Sequence, residues 1–306
     1  MDELGYYRRH SRLTDPGARR HLFGGLPADA AAMAEVIGGV MVHRDDTWRF
    51  GFTLPERRRD EANTRYVEAI LTYLGTLDER RPEDRFAGTC RDFTVLLCAM
   101  LREAGIPART RAGFAGHFTD GFFDDHWVVE AWDDDRGWRL IDAQLASAPI
   151  GTYTDADVDP LDVPRDAFLV AGRAWRECRT GRREVDQVRT SAANLTGLWE
   201  VQGNVVRDLA GLNRVETLPF DAWGLIPVHY DELDPGDVAL LDRVAAVSEA
   251  GGPPDQATAA YHGDPRLAVP IELGSAGVPA ERSASTTRGA AGPPDPAAPR
   301  PIGFSR

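Results

Sequence analysis

A chain of 306 residues, 42% of them hydrophobic, is long enough to bury a full core as one large domain or as one domain with additions. The formal net charge of −13 argues against nucleic acid or an anionic membrane surface as the main partner. All 35 basic residues are arginine, and the three cysteines are too few for a disulfide framework.

The amino-terminal residues 1–10 lack the apolar stretch of a signal peptide. No apolar run approaches the roughly 18 residues that a membrane-spanning helix needs. A free thiol functions best in a reducing compartment, so we expect a cytoplasmic protein. Because the net charge is negative and no membrane span is evident, we expect neither a nucleic-acid nor a membrane partner. No spacing of cysteine and histidine resembles a zinc site, and we therefore predict no metal and no cofactor.

The first part of the chain, residues 1–56, is predicted to be an arm, a helix and an aromatic segment that pack on the core. The helix runs from Pro27 to about Val42, and the aromatic segment is extended and contains Trp48. A charged amphipathic helix with a solvated face is predicted from Arg57 to Leu74. Later helices are predicted over residues 168–180, 193–212 and 233–250.

Residues 89–104 have the pattern of a buried helix that begins at Cys90. Its apolar residues recur at helical spacing: Phe93, Leu96, Leu97, Met100, Leu101 and Ala104. Thr89 is a suitable N-cap with Asp92 three residues later, and Gly105 followed by Pro107 is a typical helix stop. The free N–H groups and the dipole at a helix start favour an anion, so the thiol of Cys90 should ionise below its usual pKa of about 8.5.

The following residues are predicted to form strands. The predicted strands are Ala108–Phe114, His126–Trp132 and Trp138–Asp142, with a turn between the last two. On adjacent antiparallel strands His126 lies close to Asp142, which can then accept a hydrogen bond from one ring nitrogen while the other faces Cys90. Taken alone, each of these three residues also has an ordinary structural explanation; their joint arrangement favours a catalytic site.

The region from about residue 85 to residue 145 resembles the transglutaminase-like superfamily, in its bacterial intracellular type. Four blocks fall in the family's order: Gly-Thr-Cys-Arg-Asp-Phe from residue 88, Leu-Arg-Glu-Ala-Gly-Ile-Pro-Ala-Arg from 101, Asp-His-Trp-Val-Val-Glu-Ala-Trp from 125 and Gly-Trp-Arg-Leu-Ile-Asp from 137. The resemblance implies an α+β fold with a papain-like core, in which a cysteine at a helix N-terminus packs on an antiparallel sheet, and added helices.

The resemblance also implies site residues, with Cys90 as nucleophile, His126 as base and Asp142 as the third member of a triad. Family members often have proline after the aspartate, whereas Ala143 follows here, a difference that we expect to affect a turn. Members build part of the oxyanion hole upstream of the cysteine. We therefore name Trp48 as a candidate for substrate binding, with ordinary core packing as the alternative. Trp127, which follows His126, is named as a second candidate.

The family's core is expected at residues 57–150, followed by a helical addition at 151–273. Residues 274–306 are rich in alanine, glycine, proline and serine, a composition typical of a disordered tail. Cys98 and Cys178 are expected to be structural.

The predicted chemistry is acyl transfer through a thioester on Cys90, acting on a peptide or a small-molecule amide or thioester. Water as acceptor gives an amidase or peptidase, and an amine gives a transglutaminase or an amide-forming acyltransferase. The same triad serves both, and hydrolysis is favoured because water is always present and no acceptor site is evident. A non-catalytic interaction module is the alternative of another class; the intact triad argues against it.

Overall fold

The computed structural model describes residues 2–190, 195–226, 233–271 and 273. In these ranges the helices are α1 Glu3–Tyr7, α2 Ala30–Val40, α3 Val67–Leu74, α4 Cys90–Glu103, α5 Ala143–Ala146, α6 Ala171–Arg179, α7 Leu198–Leu212, α8 Pro235–Ala250 and α9 Pro254–Gly263. The strands are β1 Met41–His43, β2 Phe86–Gly88, β3 Ala108–Ala115, β4 Phe123–Asp133, β5 Gly137–Ile141, β6 Phe168–Val170, β7 Val188–Thr190 and β8 Leu195–Thr196. The predicted tail at 274–306 lies outside the described residues.

The main sheet is built around the antiparallel pair β3 and β4. Its strand order is β6-β3-β4-β7-β8, and β5 also pairs with β4. The hairpin of β4 and β5 aligns Val129 with Ile141, which brings the end of β5 towards the start of β4. Strands β1 and β2 form a separate parallel pair in which His43 lies opposite Gly88, two residues before Cys90. The prediction of an α+β fold with a hairpin after the buried helix is confirmed.

Helix α4 packs on this sheet through the predicted apolar stripe. Its side chains form one buried cluster with residues from α2, α3 and the sheet: Ile37, Ile70, Leu97, Met100, Val129 and Ile141 are members. Burying each large aliphatic side chain stabilises the fold by roughly 1.5–3 kcal/mol relative to exposure. The start of α4 has a capping box, in which the N–H of Thr89 donates to Oδ2 of Asp92 at 2.8 Å. The cysteine is thereby fixed at the first helical position.

The later part of the chain supplies a second core and also enters the sheet. Helices α6, α7, α8 and α9 share one apolar cluster with Phe114 of β3 and Leu169 of β6. The prediction of a helical addition at 151–273 is therefore incomplete, because β6, β7 and β8 extend the main sheet. None of the helices in the described part of the chain has the length and apolar character needed to cross a bilayer.

Several of the predicted elements differ in the structure. The helix predicted from Arg57 is a 3-10 helix over Glu56–Asn63 followed by α3. Its charges are not simply solvated: Arg58 donates to the carbonyls of Glu83 and Arg85, which anchors the loop before β2.

The segment around Trp48 is a 3-10 helix, Thr47–Phe50, and not extended. The helix predicted from residue 168 begins only at Ala171, because Phe168 to Val170 pair with β3. The helix predicted over 193–212 begins at Leu198 in the structure, and its first two residues lie outside the described ranges.

Candidate active site

Cys90 lies half-buried at the start of α4, in the wall of a cavity of about 200 Å³. The cavity brings together side chains from β1, β4, α4, α5 and the loops between them. Its polar lining includes His43, Asp46, Asp124, Asp125, His126 and Gln144. The other two cysteines are buried, and burial raises the pKa of Cys98 to about 12 and that of Cys178 to about 11. Of the three thiols, that of Cys90 is the one placed to ionise.

The predicted pairing of His126 with Asp142 is confirmed by their geometry. Nε2 of His126 lies 2.8 Å from Oδ2 of Asp142, and both side chains are almost completely buried. The ring also hydrogen-bonds the thiol of Cys90. Since Nε2 faces the carboxylate, Nδ1 is the nitrogen left for the sulfur. The three predicted residues therefore form one continuous chain of hydrogen bonds.

Asp142 is held in place by its own backbone surroundings. Its Oδ1 accepts from the N–H groups of Gln144 and Leu145 at 3.1 and 3.0 Å, so that Asp142 caps α5. The absence of proline after Asp142 thus coincides with a short helix, whose first turn orients the carboxylate. Burial raises the pKa of Asp142, but the charge of His126 and hydrogen bonds from His117 and His126 outweigh burial and hold it well below its usual range.

The site stabilises a thiolate–imidazolium pair. Burial lowers the pKa of His126, yet the charge of Asp142 and hydrogen bonds to Asp142 and Cys90 raise it to about 10. Burial raises the pKa of the Cys90 thiol, but hydrogen bonds with His126 and His43 and the charge of His126 bring it below its ordinary value. The negative charge of Asp125 acts in the opposite direction. The lowered pKa favours the thiolate, which is the reactive form of a cysteine.

His43 is a site residue that sequence reasoning missed. It ends β1, lines the cavity, and contacts Cys90 on one side while its Nδ1 lies 3.2 Å from Oδ2 of Asp46. Burial lowers the pKa of His43, but its hydrogen bonds to Asp46 and Cys90 and their charges raise it to about 9. The spacing of His43 and Asp46 was the only available signal, and it has meaning only once β1 is paired with β2.

His117 also contacts the site, through Asp142. Its Nε2 lies 3.1 Å from the same Oδ2 that His126 contacts, and its Nδ1 is buried with no hydrogen-bond partner among the described residues. The ligand atoms of His117, His126 and Asp142 lie within 4.8 Å of one another, close enough to hold a metal ion. The two hydrogen bonds to the shared oxygen account for this proximity without a metal.

The two tryptophans predicted to bind substrate do not line the cavity. Trp48 lies in the short helix Thr47–Phe50 with 66% of its surface exposed, and the guanidinium of Arg49 stacks on its ring. Trp127 is 1% exposed, because neighbouring residues of a strand point to opposite faces and His126 takes the face towards the cavity. The burial of Trp127 therefore argues against its predicted role in substrate binding. The side chain that lies next to Cys90 is that of His43.

Acidic residues form part of the cavity wall. Oδ1 of Asp124 accepts from Nε of Arg189 at 2.8 Å, whereas its buried Oδ2 has no partner among the described residues. Oδ1 of Asp125 accepts from Nδ2 of Asn204 at 2.6 Å, and burial raises the pKa of Asp125. Both carboxylates directly precede His126 in the Asp-Asp-His run of β4, where the histidine was the predicted site residue.

Comparisons with known proteins agree with the geometry of this region. Residues 59–143 match the model of the transglutaminase-like superfamily. Over 74 residues the chain is 34% identical to a protein-glutamine gamma-glutamyltransferase of Pseudomonas aeruginosa; the match covers 22% of this chain and only 11% of that protein.

A crystal structure of a candidate cysteine protease from Cytophaga hutchinsonii is also similar, with 18% identity over 55% of this chain and 45% of that one. The TM-score of 0.32 is too low for that likeness to support an argument. The resemblance rests on the sequence match and on the helix-and-hairpin arrangement around Cys90. Residues 59–143 are thus similar to the core of the transglutaminase-like superfamily.

Proposed function

We propose that this protein is a cysteine-dependent acyl-transfer enzyme in which Cys90 is the nucleophile, His126 the base and Asp142 the orienting carboxylate. The observation that carries the proposal is the chain of contacts from the thiol of Cys90 through His126 to Asp142. In this chain Nε2 of His126 lies 2.8 Å from Oδ2 of Asp142. A nucleophile, a base and a group that orients the base are the arrangement that covalent acyl transfer requires.

The proposed reaction begins with attack by the Cys90 thiolate on the carbonyl carbon of an amide or thioester. The carbonyl electron pair moves to oxygen, and the free N–H groups at the start of α4 face the developing charge. When the pair returns, the bond to the leaving group breaks and the leaving amine takes the proton of His126. Asp142 keeps the charged ring in position throughout. The product of this half-reaction is a thioester on Cys90.

We infer that water is the usual acceptor for this thioester. The cavity is polar and partly open, with carboxylates, histidines and Gln144 in its wall, so that water has access to the sulfur. Neutral His126 then removes a proton from water, which attacks the thioester and regenerates the thiol. The substrate class under this proposal is a peptide or a small-molecule amide or thioester.

An amine acceptor is the second candidate, and the acidic wall is the observation that favours it. Asp124 and Asp125 both line the cavity, and one carboxylate oxygen of Asp124 has no partner among the described residues. Carboxylates attract a cationic amine and raise its local concentration beside the thioester. The matched relative is named a gamma-glutamyltransferase, but the chain spans about a tenth of that protein's length.

The test is to look for the covalent intermediate directly. The full chain is treated with p-nitrophenyl acetate and then quenched in acid, and intact mass spectrometry and peptide mapping locate the acetyl group. We expect one acetyl group on Cys90 in the wild type and none in Cys90→Ala. Acetylation spread over other residues, or none on Cys90, would contradict the proposal.

The acceptor is tested by adding a diamine such as cadaverine during turnover. Acetyl-cadaverine formed at the expense of acetate would favour the amine acceptor, and acetate alone would favour hydrolysis. The chain has no lysine, so the added diamine has no competing side-chain amine within the protein.

A further inference from the structure

His43 is fixed beside the nucleophile by the pairing of β1 with β2. The two strands run parallel with His43 opposite Gly88, and the N–H of Arg44 donates to the Gly88 carbonyl at 2.9 Å. A side chain at Gly88 has no room, since a Cβ there would lie 2.9 Å from Cβ of Asp92 and 3.0 Å from Met41. This close backbone approach carries the ring of His43 to the thiol of Cys90.

Asp46 holds the ring of His43 from the side away from the sulfur. Its Oδ2 lies 3.2 Å from Nδ1 of His43, and its Oδ1 lies 3.2 Å from Nε of Arg49. Nε2 of Gln144 approaches the same Oδ2 at 3.5 Å. Nδ1 faces Asp46 and also lies 3.4 Å from the backbone nitrogen of Asp45, so Nε2 is the nitrogen left to face the cavity. A carboxylate in this position favours the protonated ring, and the pKa of His43 is raised to about 9.

Cys90 is thus flanked by two histidine–aspartate pairs from different strands. The pair of His126 and Asp142 already supplies the base, and Asp142 is fully buried beneath it. A second base beside the same sulfur would duplicate that role. A second cation with an N–H directed at the reacting atoms performs a different task, since it stabilises negative charge on the substrate oxygen.

We propose that His43, oriented by Asp46, is a catalytic residue that donates a hydrogen bond from its imidazolium to the oxyanion formed when Cys90 attacks the carbonyl. This proposal rests on the proposed function of Cys90. The sulfur–carbon bond forms as the carbonyl π pair moves to oxygen, and the charge on that oxygen is shared with the N–H of Cys90 and Nε2–H of His43. When the pair returns, the amine leaves with the proton of His126, while His43 keeps its own.

Two reactions of Cys90 separate this role from a general effect on the thiol. Iodoacetamide alkylates the thiolate by displacing iodide and forms no oxyanion. Acylation by p-nitrophenyl acetate passes through a tetrahedral oxyanion. Both rates are measured on the full chain as functions of pH, so that each is referred to the fraction of Cys90 present as thiolate. The variants are His43→Ala, His43→Gln and Asp46→Asn, with His10→Ala as a matched control distant from the cavity.

We expect His43→Ala to slow acylation by about 10²–10³-fold, the usual loss for one oxyanion donor, while alkylation per thiolate is nearly unchanged. His43→Gln retains an N–H donor without the charge and should recover part of the acylation rate. Asp46→Asn should lower acylation above neutral pH, because the ring then loses its proton more readily. His10→Ala should match the wild type in both reactions.

Equal losses in acylation and alkylation would overturn the proposal, since His43 would then serve only the thiolate. Unchanged acylation in both His43→Ala and Asp46→Asn would overturn it as well. Circular dichroism verifies the fold of each variant, and Asp46→Asn provides the test if His43→Ala does not fold. Failure of the proposed function has a different signature, in which neither reagent modifies Cys90 of the wild type selectively.

Discussion

Two clusters of buried charge lie on the antiparallel strands β3 and β4. One surrounds His126 on β4, and the other surrounds Arg111 on β3. Arg111 is fully buried and binds both oxygens of Asp208 at 3.0 and 2.9 Å and Oε2 of Glu130 at 2.7 Å. Asp208 also accepts from the hydroxyl of Ser248 at 2.6 Å. This ionic network joins β3 and β4 to α7 and α8.

The two clusters differ in whether their charges can change. Burial lowers the pKa of Arg111, but Asp208 and Glu130 raise it far above its usual value, and the arginines hold the pKa of Glu130 far below its usual range. Arg111 and Glu130 therefore keep their charges at ordinary pH. Around Cys90 the charged groups can instead exchange a proton with the sulfur, since the pKa values of His43 and His126 are raised to about 9 and about 10 and the pKa of the Cys90 thiol is lowered. Buried charge alone therefore does not mark a site; charge that can move beside an accessible nucleophile does.

The largest expected effect is that of Cys90→Ala on turnover. Removing the nucleophile should lower the acylation rate by about 10⁴-fold or more, because no other thiol in the cavity can replace it. The free energy of unfolding should change little, since Cys90 is only half-buried. If Cys90→Ala still turned over p-nitrophenyl acetate, the cluster around Cys90 would not be the reactive one. Cys98→Ala is the control and should keep full activity.

The next largest effect is expected for Asp142→Asn. An amide in this position presents the wrong partner to Nε2 of His126 and no longer stabilises the imidazolium, so acylation should fall by about 10²–10⁴-fold. The pKa of Cys90, read from the pH dependence of iodoacetamide alkylation, should rise at the same time. An Asp142→Asn variant with a normal alkylation profile and normal acylation would show that His126 does not depend on this carboxylate.

In the ionic network the expected effect falls on stability instead. Arg111→Met leaves Asp208 and Glu130 buried without their shared cation and should cost about 3–5 kcal/mol in the free energy of unfolding. The control is Arg81→Met, whose side chain is 73% exposed and paired with Asp84, and whose free energy of unfolding should stay close to that of the wild type. Urea denaturation measures both. Equal costs would mean that burial does not distinguish the two kinds of ion pair.

The helix, the hairpin and the contact of His126 with Asp142 were predictable because local signals specify them. A capped apolar stripe places Cys90 at a helix start, and a short turn fixes which residues of two neighbouring strands meet. The position of His43 depends on a parallel pairing between strands that are more than 40 residues apart, and no local pattern encodes it. The catalytic roles, the predicted domain limits and the cytoplasmic location stay predictions.

The ionic network was equally invisible in the sequence. Arg109 and Arg111 alternate with small residues, as charged residues of a half-exposed strand do, yet both are buried because α1, α7 and α8 bring partners to them. Trp48 was named because it lies upstream of the cysteine in the sequence, and the structure leaves it 66% exposed and outside the cavity wall. Side chains whose partners come from distant elements are where pattern reasoning is weakest.

The smallest expected effect concerns Glu200, behind the acidic wall of the cavity. Burial, and then the charge of Asp125, raise the pKa of Glu200 to about 7, whereas an unfolded glutamate titrates near about 4.3. Between these values the unfolded chain loses its proton first, so this group makes the fold less stable as the pH rises to about 7. Glu200→Gln should therefore stabilise the protein by about 1–3 kcal/mol at pH 8, and by less at pH 5.

Urea denaturation of Glu200→Gln at the two pH values is the measurement, with Glu79→Gln, whose side chain is 83% exposed, as the control. A gain of the same size at both pH values would assign the effect to packing and not to ionisation. A pH-dependent gain would show that the negative charges of Glu200 and Asp125 are not fully neutralised by their surroundings. The charges around Arg111, by contrast, are matched by Glu130 and Asp208. Carboxylates that are not fully neutralised attract a cationic group, as the alternative of an amine acceptor requires.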